Sequence, residues 1–71
     1  MAKLLLRVKA NQIGKYVFAQ FLIGSGETLN KSTRFRDAGT LTFEKDEFEK
    51  FRDIFASIND SRLVGHLTSD V

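Results

Sequence analysis

TLTFEKDEFEKFRDIFASI, residues 40–58, changes its period partway along. Leu41 and Phe43 alternate with Thr40 and Thr42, a period of two that belongs to a strand. Phe48, Phe51, Phe55 and Ile58 then recur at steps of three, four and three, with Ile54 beside them. That is one face of a helix. The opposite face carries Lys45, Glu49, Lys50, Arg52 and Asp53. An aromatic stripe of this kind needs an apolar surface to lie on, and the residues before it read as the sheet that supplies one. Glu44, Asp46 and Glu47 fall in the first helical turn, where the helix dipole favours acids. They read as a helix end and not as a general acid/base pair or a metal site.

Upstream, Lys3 to Ala10 alternates. Leu4, Leu6, Val8 and Ala10 point one way, and Lys3, Leu5, Arg7 and Lys9 the other, which predicts a half-buried strand with a basic outer face. Asn11 to Gly14 reads as a hairpin turn, with Gly14 free to adopt positive φ. Lys15 to Ile23 is the second strand, with Val17, Ala19, Phe21 and Ile23 on one side. Tyr16, Phe18, Gln20 and Leu22 on the other side are rich in apolar area. They fit a dimer interface, a base-stacking platform, or a surface covered by the C-terminal tail. Gly24 to Glu27 reads as a mobile hairpin tip, because it lacks the Gly-Lys-Ser/Thr of a phosphate-cradling loop.

Thr28 to Arg36 is polar and β-prone and predicts a third strand. Arg34 and Arg36, two apart, would share a side with Ser32, with Lys31 and Thr33 adding donors nearby. That pattern suits phosphate contact, and equally an edge strand protected by charge. Asp37-Ala38-Gly39 reads as a tight turn before a fourth strand at Thr40 to Phe43. Asn59 is expected as a left-handed cap ending the helix. Residues 61–71 read as a tail in which Leu63, Val64 and Leu67 dock a helical turn or an added strand; His66 reads as a surface or capping side chain. The expected fold is therefore α+β, a four-stranded antiparallel meander followed by one amphipathic helix on one face (β-β-β-β-α). It forms a single domain over residues 1–60.

Composition bounds the rest. Seventy-one residues make one small domain whose stability is marginal without help. There is no Cys and one His, so disulfides and a zinc cluster are excluded as that help. Oligomerisation remains. Residues 1–36 carry seven bases and one acid, residues 37–71 four bases and eight acids. With sheet first and helix second, the positive field lies on the sheet, where a polyanion would bind. No secretory signal or membrane span is visible in the sequence, which predicts a soluble, intracellular (cytoplasmic) protein. No Ser/His/acid constellation is present, so no enzymatic activity and no cofactor are expected.

The junction Ala38-Gly39-Thr40-Leu41-Thr42-Phe43-Glu44-Lys45-Asp46-Glu47-Phe48-Glu49-Lys50-Phe51 resembles that of the positive-cofactor-four family of transcriptional coactivators and its bacterial and phage relatives. Arg7-Val8-Lys9 followed by Gly14-Lys15-Tyr16-Val17 is similar to that family's first hairpin. The resemblance spans roughly residues 4–58. It implies a curved antiparallel sheet backed by one helix, dimerisation largely through the helices, and binding of single-stranded DNA on the sheets. Carried over by position, Lys15, Lys31, Arg34 and Arg36 would contact the strand, with Tyr16 or Phe18 stacking on bases.

Residues and resemblance together predict a homodimeric, non-enzymatic binder of single-stranded nucleic acid. Its contacts would be Arg7, Lys9, Lys15, Tyr16, Phe18, Lys31, Arg34 and Arg36. Its core and dimer residues would be Phe48, Phe51, Ile54, Phe55 and Ile58. The alternative is a small protein-interaction module, such as a phage-encoded inhibitor or accessory subunit, that docks a host protein through the apolar face of the second strand or through the acidic helix.

Overall fold

The computed structural model describes residues 2–30 and 32–69. Its first hairpin turns at Gly14, which takes φ +62°, a conformation open to a residue without Cβ. Strand β1 (Lys3–Ile13) and strand β2 (Tyr16–Gly26) pair antiparallel from Ile13 opposite Tyr16 to Lys3 opposite Gly26. Gly24, Ser25 and Gly26 are part of that ladder and not a mobile tip. Both strands therefore run about three residues longer than their alternation suggested.

The third strand is displaced from its expected place. The described residues between 28 and 35 form a loop, and strand β3 is Arg36–Glu44, paired antiparallel with β2. Asp37-Ala38-Gly39, expected as a turn, lies inside β3 as a bulge. Gly39 pairs with Phe21, Asp37 with Leu22, and Ala38 is left over. Gly39 takes φ +108°, and its N–H donates to Asp37 Oδ1 at 2.9 Å.

Helix α1 (Lys45–Ser57) starts where the period changes. Glu44 and Lys45 lack the short side chain of a good cap, and Glu47 supplies what they do not. Its Oε1 accepts from the Glu44 N–H at 2.9 Å. The helix ends at Ile58, whose backbone is extended at φ −64°. The expected left-handed cap at Asn59 does not form; no described residue other than glycine has positive φ. Ser57 Oγ instead donates to the Ile54 carbonyl at 2.8 Å.

Leu63–Ser69, in the expected tail, forms strand β4 and pairs parallel with β1, Leu4 opposite Leu63 through Ala10 opposite Ser69. The sheet order is β3-β2-β1-β4. The fold is thus α+β with four strands and one helix, as expected, but the sheet is mixed and the order is β-β-β-α-β. It is not an antiparallel meander ending in a helix. A meander needs only short turns. Here α1 carries the chain across the sheet between its two edge strands, which run parallel to each other.

The helix packs on one sheet face only. Phe48 is fully buried against Ala10 and Val17, with Phe43, Phe51 and Leu67 around it. Phe51 stacks on Phe43 and Phe55 and meets Phe21 edge-on, with ring centroids 5.3–5.8 Å apart. Phe55 lies over Gly65, where an added Cβ would come within 2.8 Å of its Cζ. Ile54 and Ile58, expected among the core or dimer residues, are 66% and 48% exposed. Ile54 lies on an exposed part of the helix, and Ile58, just past its end, borders a recess with Leu63, Gly65 and Leu67 of β4.

Candidate nucleic-acid interface

Register sorts the strands into two faces. The helix face takes Leu4, Leu6, Val8 and Ala10 of β1, Val17, Ala19, Phe21 and Ile23 of β2, Leu41 and Phe43 of β3, and Leu63, Gly65 and Leu67 of β4. The second face takes Lys3, Leu5, Arg7, Lys9 and Asn11, then Tyr16, Phe18, Gln20, Leu22 and Gly24, with Thr40 and Thr42, and Val64, His66 and Thr68. No helix covers this second face among the described residues.

One end of the second face is covered by the loop between β2 and β3. Gly24 makes this possible: an added Cβ would lie 2.8 Å from the Arg34 carbonyl oxygen and 3.3 Å from the Phe35 ring. Leu5, cross-strand from Gly24, is fully buried although it points away from the helix. The Arg7 guanidinium lies 4.7 Å from the Phe35 ring centroid. The loop holds its shape through Asn30, whose Oδ1 accepts from Ser32 N and Ser32 Oγ, both at 2.9 Å.

The other end is open. Tyr16 and Phe18 stand two apart on β2 and so share a side; Tyr16 is 40% exposed and Phe18 half-buried. Asn11 faces Phe18 across the ladder, and Lys9 faces Gln20. Lys15, in the turn, places Nζ 5.4 Å from the Tyr16 ring centroid. Two aromatic rings with two lysines and two amides beside them can stack bases and contact phosphates. Two acids lie near. Glu44 pairs with Tyr16, and Asp37 Oδ2 accepts from Gln20 Nε2 at 3.4 Å.

The structure thus brings Lys9, Lys15, Tyr16 and Phe18 together and separates the other expected contacts. Arg7 is on the same face but under the loop. Arg34 belongs to the loop, and Arg36 opens β3 opposite Ile23, on the helix side by register. The two arginines therefore do not share a strand side, because Thr28–Phe35 is not a strand. Lys31 lies outside the described residues. Sequence reading missed Asn11, because it ended the first strand at Ala10. A two-residue turn at Gly14-Lys15 would have extended the alternation to it. It also missed the pairing of Arg7 with His66, which needs the parallel strand β4.

Elsewhere, Asp60 and Arg62 form a two-pronged ion pair at 2.8 and 3.0 Å in the turn leading to β4. Hydrogen bonds from the Arg62 side chain, then its backbone N–H, hold the Asp60 carboxyl below the usual range. Among the described residues, no group of three or more His, Cys, Asp or Glu is placed to hold a metal. Within the same residues, no helix is long and apolar enough to cross a membrane. The chain matches no protein-family model, no curated protein and no solved structure.

Proposed function

We propose that this protein is a non-enzymatic binder of single-stranded nucleic acid. The open end of the second sheet face would take two or three nucleotides. The observation that carries the reading is the shared placement of Tyr16, Phe18, Lys9 and Lys15 on a surface that neither helix nor loop covers. Bases stack on the two rings, worth about 1–3 kcal/mol per base. The lysines and the Asn11 and Gln20 amides meet the backbone. The reading rests on these side chains and not on the family resemblance, whose all-antiparallel sheet this chain does not form. Fluorescence anisotropy with a labelled oligo-dT tests it. Binding should weaken with added salt as counterions are released, and Phe18→Ala should weaken it by about tenfold or more. Absence of binding at low salt, or indifference to Phe18→Ala with Lys9→Ala, would refute it.

Self-association through the helix face belongs to the same proposal. Leu6, Phe21, Ile23 and Leu41 line an apolar recess of about 340 Å³ beside β3, and Leu41 is 54% exposed. Ile54 extends the apolar surface from the helix. The accessible surface of 5138 Å² exceeds by roughly 600 Å² what a monomer of this mass ordinarily shows. That excess approaches the area one partner contributes to a standard interface. A light-scattering mass of twice 8.1 kDa is expected, and Leu41→Lys should return it to one copy. The same recess suits the alternative reading, docking of another protein. A monomeric mass with no strand binding would favour that reading.

A further inference from the structure

Beside the loop-covered end of the second face lies an open pocket of about 290 Å³ lined by Arg7, Leu29, Asn30 and His66. It is separate from the open end where strand binding is placed. Arg7 and His66 are direct neighbours across the parallel β1–β4 ladder, so their side chains leave the sheet on one side. Arg7 Nε is buried and has no hydrogen-bond acceptor among the described residues. A buried donor without an acceptor is destabilising. No carboxylate lies within ion-pairing distance of Arg7 among the described residues. The Phe35 ring occupies one side of the guanidinium, and Arg7 lines the pocket. Asn30 uses its Oδ1 inside the loop, accepting from Ser32 N and Ser32 Oγ. Asn30 also lines the pocket. Leu29 makes the remaining wall apolar.

We propose that this pocket binds the phosphoryl group of a phosphate ester. The lining offers a guanidinium fork, an amide NH₂ and an imidazole from three elements: β1, the loop and β4. A carboxylate has two oxygens and is satisfied by the guanidinium alone. A phosphoryl group presents three oxygens in three directions, which is what a fork and two further donors around one opening can meet. Among the described residues, no acid lines the pocket to repel it. The ester's carrier group would lie toward Leu29 and the opening. The proposal does not depend on strand binding at Tyr16 and Phe18.

The test is an NMR titration of the full chain, following the Arg7 Nε–Hε and His66 ring signals. Inorganic phosphate and adenosine monophosphate should shift both signals, and acetate at equal ionic strength should shift them at least several-fold less. Arg7→Gln, read at the His66 ring alone, should abolish the shift. Arg7→Lys keeps the charge but loses the planar fork and should weaken binding by about tenfold. Unchanged spectral dispersion elsewhere identifies folded variants, and Asn30→Asp, which replaces the amide NH₂ with a carboxylate, weakens binding independently of Arg7. An oligo-dT carrying a 5′-phosphate, compared with its 5′-hydroxyl counterpart, distinguishes the sources. Tighter binding of the phosphorylated strand assigns the pocket to a strand end, and equal binding with a response to adenosine monophosphate assigns it to a free phosphate ester. Arg7 and His66 signals that stay still in phosphate, or that move equally in acetate, overturn the proposal whether or not the 5′-hydroxyl strand binds.

Discussion

The two faces of the sheet are covered by different means. On one, α1 makes three aromatic contacts with β2 and β3, and Phe55 settles on Gly65 of β4. On the other, a loop reaches the sheet by backbone approach at Gly24 and a single ring, Phe35. Both solutions use a glycine where the covering element comes closest. At Gly65 a side chain fills the space, and at Gly24 a carbonyl does. Side-chain packing buries area on the order of a whole aromatic residue and fixes the fold. The loop also buries Leu5, but it leaves donors and charges on a surface that stays accessible. The helix face thus carries the stability, and the loop face carries the polar chemistry.

Four substitutions can break or sharpen this contrast. Phe48→Ala should have the largest effect, since Phe48 is fully buried at the centre of the helix face. A loss of about 3–5 kcal/mol is expected, most of what a domain this size has. Circular dichroism should show a largely unfolded chain at room temperature. Gly65→Val comes next. Its Cβ would meet Phe55 Cζ at 2.8 Å, so the ring must move, at about 1–3 kcal/mol. Combining Gly65→Val with Phe55→Leu should recover part of that loss, and simple additivity in a thermal-melt cycle would mean the ring contact is not the cause.

Gly24→Ala should cost less, roughly 1 kcal/mol, because it displaces a loop and not a helix. Its signature is local. Amides of residues 28–35 should lose hydrogen-exchange protection while those of α1 keep theirs. Equal loss on both elements would show that the faces are not independent. Asp60→Asn should be smallest. Asp60 is exposed, and its carboxyl is held below the ordinary value of 3.8 by Arg62. Its contribution is therefore present above pH 3.8 and disappears as pH falls through the lower folded value. Melting curves of the variant and parent should differ slightly at neutral pH and converge in acid.

The helix face was legible because it depends on periodicity. Phe43, Phe48, Phe51 and Phe55 announce a strand turning into a helix, and Val8, Ala10, Val17 and Ala19 alternate as a surface beneath it. Ile54 and Ile58 share the stripe but stay exposed, and periodicity does not report how far the sheet covers it. The loop face was legible in part. Tyr16, Phe18, Lys9 and Lys15 follow from alternation and a turn. Leu5 does not, since it lies on the basic side and is buried by a loop with no period of its own. Nothing local to Thr28–Phe35 separates it from a strand, for threonines and a phenylalanine suit either. Pairing of Leu63–Ser69 with the first strand is a contact between opposite ends of the sequence, and residue patterns constrain such contacts least.

That last pairing sets an order of assembly. Strand β1 is made first and lies second from the edge, with β4 as its outer neighbour. A nascent chain halted before residue 63 would present three strands and a helix with the outer backbone row of β1 unsatisfied, the sort of margin on which foreign strands dock. Completion of the sheet thus covers the outer row of the eleven-residue β1 and passes the border to the seven-residue β4.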